Sequence, residues 1–122
     1  MIFINMKKRF LITGGTGFVG NNLARRLLDE NNDVGLILRK QSQTWRIKDI
    51  EDKITKLYSD LRDKEELKEM IKNYKPDCIF HLASYGAYPG KQKDLEIKIN
   101  TNIYGTLNLI ESADGIPIIN TG

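Results

Sequence analysis

The chain has 122 residues, of which 40% are hydrophobic, 29% charged and 8% aromatic, a balance that excludes wholesale disorder and collagen-like or low-complexity classes. Lys and Arg total 19 against 16 Asp and Glu, and this net charge of +3 is interspersed, so neither a nucleic-acid tail nor a polybasic membrane anchor is expected. A single cysteine, Cys78, excludes an intrachain disulfide and leaves a Cys-rich metal site without ligands; a reducing, cytoplasmic setting and no metal are expected.

The length fits one domain over residues 1–122. No apolar run approaches the ~20 residues of a membrane span, so no membrane partner is expected. Met1 to Arg9 does not read as a signal peptide, because its short apolar stretch precedes the basic cluster. Met6 is a second candidate start.

In chain order, Phe10-Leu11-Ile12 is a continuous apolar run that predicts a buried strand of a parallel sheet. A glycine cluster follows. Phe18, Val19, Leu23, Leu27 and Leu28 then recur at helical spacing and predict an amphipathic helix over 17–30. Asn31-Asn32-Asp33 is a turn, and 34–38 is a second apolar strand ending at Arg39-Lys40. Residues 41–53 are polar and irregular, with a helical turn near Trp45-Arg46-Ile47 and Trp45 assigned to packing.

A weaker third strand over 54–58 runs into Asp60. Asp63-Lys64-Glu65-Glu66 has N-cap and capping-box spacing ahead of a helix marked by Leu67, Met70, Ile71 and Tyr74, which stops before Pro76. Residues 78–82 form a fourth strand and 84–93 a loop. Leu95, Ile99, Ile103, Leu107 and Ile110 share one face of a long helix, Gly115 ends it, and 116–119 is a fifth strand. Alternating strands and helices of this kind imply an α/β, Rossmann-type doubly wound parallel sheet, with its five strands in the order 3-2-1-4-5.

The strongest chemical signal is Gly14-x-x-Gly17-x-x-Gly20 between a strand and a helix. Glycines let the backbone turn tightly, approach a pyrophosphate and pack the helix on the sheet, while the helix N-terminus offers N–H groups to phosphate. The bland alternative is a tight strand-to-helix turn without a ligand. The acid that reads an NAD ribose belongs at the carboxyl end of the second strand, and that position holds Arg39. A guanidinium there suits a 2′-phosphate, which favours NADP over NAD; stacking on adenine or plain solvation is the alternative. Asp60 ends the third strand, where its carboxylate suits an adenine amino group or caps the following helix. His81, the only histidine, lies among apolar strand residues and reads as packed rather than catalytic. Tyr85 and Tyr88 either line a substrate pocket or cover the loop.

Together, Thr13-Gly14-Gly15-Thr16-Gly17-Phe18-Val19-Gly20, Asp60-Leu61, His81-Leu82-Ala83-Ser84 and the run from Thr101 to Glu111 resemble the extended short-chain dehydrogenase/reductase family, in its NAD-dependent epimerase/dehydratase group acting on nucleotide sugars. The resemblance implies that Gly14, Thr16, Gly17, Phe18, Val19 and Gly20 surround the pyrophosphate. It implies that Asp60 and Leu61 contact adenine, and that Leu82, Ala83 and Ser84 line the nicotinamide side. Thr101 matches a position near the cofactor, and Asn102 an asparagine that organises the long helix. Thr121 corresponds to the start of a Ser/Thr-rich active-site segment.

Arg39 departs from the acid common in NAD-using members. The family's Tyr-x-x-x-Lys pair, which supplies its general acid/base, is missing: the residues four beyond Tyr58, Tyr74, Tyr85, Tyr88 and Tyr104 are Arg62, Cys78, Pro89, Gln92 and Asn108. No catalytic residue is therefore assigned. The chain resembles the N-terminal cofactor-binding part of a longer enzyme, truncated before its substrate part, with a nucleotide-sugar substrate in the full-length parent. An edge beside 116–119 is then left open, and a homodimer through the helix at 94–113 is consistent with the family. A non-catalytic dinucleotide-binding sensor is the alternative. An RNA-binding role is disfavoured by the small net charge and the lack of a basic and aromatic stripe.

Overall fold

The computed structural model describes residues 6–85 and 95–121. Five strands, β1 (Arg9–Thr13), β2 (Asp33–Leu38), β3 (Thr55–Tyr58), β4 (Cys78–His81) and β5 (Ile118–Asn120), form one sheet in the order β3-β2-β1-β4-β5. Every neighbouring pair is parallel. The expected topology is the observed one.

Helices cover both faces, and the strands divide their side chains between them. Leu11 and Ile37 point to one side, onto Leu67 and Ile71 of α2 (Lys64–Tyr74) and Leu109 and Ala113 of α4 (Gly105–Ala113). Ile12, Leu36 and Leu38 point to the other, onto Ala24 and Leu27 of α1 (Phe18–Asp29) and Ile47 and Ile50. Burial on both faces is why these strands read as continuous apolar runs rather than alternating ones.

Four expectations need correction. The helical turn expected near Trp45-Arg46-Ile47 is present but runs on through residue 53, where irregular chain was expected: 45–53 form a 3-10 helix whose Ile47 and Ile50 close one core, spaced to meet the sheet. Trp45 is 66% exposed, and instead of packing inward it is stacked under the Arg46 guanidinium at 4.4 Å. Phe18 and Val19 do not belong to the buried face of α1; they stand out at its N-terminus, 74% and 62% exposed, and Gly20, Asn21, Ala24 and Leu27 make the contact. The long helix is three pieces, α3 (Leu95–Ile99), a π-helical turn (Asn100–Tyr104) and α4. Its apolar stripe shares a face, but that face is turned outward, and Gly105, Leu109, Ser112 and Ala113 are the buried side.

Helix ends follow local chemistry. The Asp63 carboxylate accepts the Glu66 N–H at the start of α2, as the spacing predicts. Lys75 takes a left-handed φ of 55° and ends α2 ahead of Pro76. Strand bounds otherwise shift by a residue or two from the sequence expectation, and β5 starts at Ile118 because Pro117 cannot donate to the ladder. Among the described residues no helix is long and apolar enough to cross a membrane.

Candidate functional site

A cleft of about 280 Å³ opens at the carboxyl end of the sheet. It lies where β1 meets β2 on one side and β4 on the other, so the strand order reverses there. Its floor is the glycine loop. Gly14 has φ +75°, and a side chain on it would meet the Leu82–Ala83 peptide at 2.7 Å. A side chain at Gly20 would run into the Gly14 carbonyl. The loop is thus pressed between α1 and β4, with no room for a Cβ at either point. The first bond into α1 runs from the Asn21 N–H to the Gly17 carbonyl at 3.0 Å. The amides of Phe18, Val19 and Gly20 therefore have no acceptor within the helix, and the positive end of α1 faces this loop. This donor set fits a phosphate.

The second edge comes from β2 and β3. Arg39, just past β2, and Ser42 close a tight turn: the Arg39 N–H donates to Ser42 Oγ at 2.9 Å and the Ser42 N–H to the Arg39 carbonyl at 3.0 Å. Both residues line the cleft. Asp60 lies across from them. Its carboxylate accepts from the Arg62 backbone at 2.9 Å and from the Arg62 guanidinium at 2.6 Å, and these bonds hold it below the usual carboxylate range, with Arg39 adding a smaller pull. Asp60 does not cap α2, since Asp63 does. The Ser59 hydroxyl between them is buried and has no hydrogen-bond partner among the described residues.

The third wall is β4 and the π turn. Thr13 Oγ1 lies 2.6 Å from His81 Nδ1, and His81 Nε2 lies 2.9 Å from Thr106 Oγ1. Burial pushes the His81 pKa down. Asn102 donates to the Tyr85 carbonyl at 3.0 Å and accepts from its N–H at 2.8 Å. Leu82, Ala83, Ser84, Tyr85 and Thr101 face the cleft here. Asn108 of α4 holds the adjoining segment by donating to the Leu61 carbonyl at 2.9 Å.

Of the residues singled out in the sequence, Gly14, Thr16, Gly17, Arg39, Asp60, Leu61, Leu82, Ala83, Ser84 and Thr101 line this one cleft. Phe18, Val19 and Gly20 sit at the adjoining helix start, and Asn102 acts one layer back through Tyr85. Thr121 is exposed, past the end of β5 and outside the lining residues. Tyr88 lies outside the described residues.

Sequence reasoning missed Ser42, Ser59 and Arg46. Arg46 donates to the Thr16 carbonyl at 3.1 Å, and Arg25 pins the Arg46 segment through a bidentate pair with Asp49, whose carboxyl it holds at about 2. No local pattern marks these residues, because each depends on a turn or helix that only the fold brings to the glycine loop.

A family model described as GDP-mannose 4,6 dehydratase matches residues 11–120. The chain belongs to this family. It is 31% identical over 112 residues to a dTDP-glucose 4,6-dehydratase of Neisseria gonorrhoeae, covering 88% of this chain and 32% of that protein. The fold also matches an epimerase of Methanothermobacter thermautotrophicus, with a TM-score of 0.78 and 32% identity over 92% of this chain and 33% of the other. A UDP-glucose 4-epimerase of Thermus thermophilus, solved as a complex with NAD, gives a TM-score of 0.72 and 26% identity over 86% of this chain and 33% of its own. The chain spans about a third of the length of the relatives it matches.

Proposed function

We propose that the cleft binds a pyridine dinucleotide, with NADP preferred over NAD. In this reading residues 1–122 are the cofactor-binding domain of a nucleotide-sugar epimerase, dehydratase or reductase. A bound nicotinamide supplies hydride transfer. The chain's own residues bind and orient it: the glycine loop and the start of α1 take the pyrophosphate, Asp60 and Leu61 take adenine, and Leu82, Ala83 and Ser84 carry the nicotinamide side.

The observation that carries the reading is the close fit of the glycine loop against β4, with Arg39 at the far end of the same cleft. A guanidinium at the end of β2, beside the Ser42 turn, supports the preference for a 2′-phosphate. The substrate proposed is a nucleoside-diphosphate sugar, engaged together with an acid/base pair supplied outside residues 1–122. The outward apolar face of Leu95, Ile99, Ile103, Leu107 and Ile110 supports a homodimer, and the single thiol supports a cytoplasmic setting.

Calorimetric titration with NADPH and NADH tests this. NADPH is expected to bind more tightly, and Arg39→Ala is expected to weaken it by about ten- to a hundredfold while leaving NADH nearly unchanged. Equal or tighter NADH binding overturns the NADP preference. Binding of neither overturns the reading.

A further inference from the structure

The side-chain bonds of the wall opposite the glycine loop have one consistent direction. Thr13 Oγ1 accepts the Ala83 N–H at 3.1 Å and shares the Leu82 N–H at 3.2 Å. Its lone pairs are engaged, so its single proton goes to His81 Nδ1. On the far side of the ring, Thr106 Oγ1 lies 2.7 Å from the Asn102 carbonyl, which can only accept. The Thr106 proton goes there, and its oxygen is left to accept from His81 Nε2–H. The opposite tautomer takes the Thr106 proton away from Asn102 and leaves the Thr13 proton without an acceptor among the described residues. A doubly protonated ring sets an N–H against an oxygen already accepting two. The residues that line a pocket with His81, among them Asn120 on β5 and Leu109 and Ile110 on α4, carry no charge.

We propose that His81 is a positioning residue: a neutral ring held as the Nε2–H tautomer that ties the ends of β1 and β4 to the π turn and so holds the Tyr85 backbone at the cleft. The tie continues from Thr106 to the Asn102 carbonyl, and from the Asn102 amide to both backbone groups of Tyr85. Tyr85, Ser84 and Thr101 are cleft residues at the ends of this chain of bonds. The π turn lies directly before this bond: the Gly105 N–H reaches back five residues to the Asn100 carbonyl. The importance of this wall for cofactor rests on the dinucleotide reading above, whereas the tautomer and the tie do not.

The test is nitrogen NMR of the imidazole in the whole 122-residue chain, where one histidine makes the signal unambiguous. A single neutral Nε2–H form at pH 7 is expected. An Nδ1–H form, or a ring exchanging freely between tautomers, overturns the proposal without any variant. In Thr106→Val the ring is expected to lose its fixed tautomer, and the Tyr85 amide to exchange with solvent about tenfold faster. Thr106→Ser, which keeps the hydroxyl, is expected to restore both. Unchanged Tyr85 exchange in Thr106→Val overturns the tie. A parallel NADPH titration separates the two readings: a locked ring in a chain that binds no dinucleotide sinks the cofactor reading alone.

Discussion

The two walls of the cleft are built by different means. The glycine-loop side is held by backbone against backbone, with Gly14 and Gly20 too close to their neighbours to carry a side chain. The β4 side is held by side chains, from Thr13 through His81 and Thr106 to Asn102. A steric wall tolerates no change at a few positions and is indifferent to pH. A hydrogen-bonded wall tolerates graded change and carries a titratable group at its centre.

Substitution breaks the steric wall first. Gly20→Val places a branched side chain into the Gly14 carbonyl, and about 3 kcal/mol of stability is expected to be lost in urea unfolding, together with dinucleotide binding. Thr13→Val comes next. It keeps the shape but strands the Ala83 N–H and His81 Nδ1, and about 2 kcal/mol is expected from the same measurement. If the two variants lose equal stability, the contrast between the walls fails.

The pH dependence is smaller and separates them more cleanly. The folded pKa of His81 lies below its ordinary 6.5, so between those two values the unfolded chain holds more protons than the folded one. Stability is then full above about 6.5 and declines as pH falls through the folded pKa. Asp60 and Asp49, both shifted down, add their own losses only in the carboxylate range beneath. Urea midpoints measured from about pH 7.5 to about pH 5 check this, and His81→Gln is expected to remove the slope. The smallest effect belongs far from either wall. The exposed Lys64–Glu111 pair joins α2 to α4, and Lys64→Ala is expected to leave the urea midpoint unchanged.

The same contrast explains what was legible in the sequence. Glycine spacing and the five apolar strands are local signals, and they give the strand, loop and helix where they are observed, with Arg39 placed at the end of β2 beside the cleft. The direction of the α3–α4 stripe is not local: Leu95 to Ile110 share a face whichever way that face turns, and the choice is made by Gly105 lying close to Leu61. Phe18 and Val19 fit the helical period but fall in its first turn, where they stand exposed. Ser42 and Arg46 were invisible because the turn at Ser42 carries no apolar period, and the Ile47 and Ile50 spacing does not say that Arg46 reaches the glycine loop. Thr106 was quoted within a motif, but its partnership with His81 spans 25 positions and exists only once α4 lies beside β4.

The parallel sheet also decides when the cleft exists. Thr13 and His81, its two hinge points, are 68 residues apart in the chain. Their strands pair directly, so a long loop must close before either contact offers any return. The unit β1-α1-β2 can form early from near neighbours, but without β4 it has no second wall. During synthesis the chain therefore carries a nearly finished glycine loop facing open water until residue 81 has arrived. A dinucleotide that recognises only the closed cleft would act on the last stage of folding, drawing the chain toward the finished sheet by mass action.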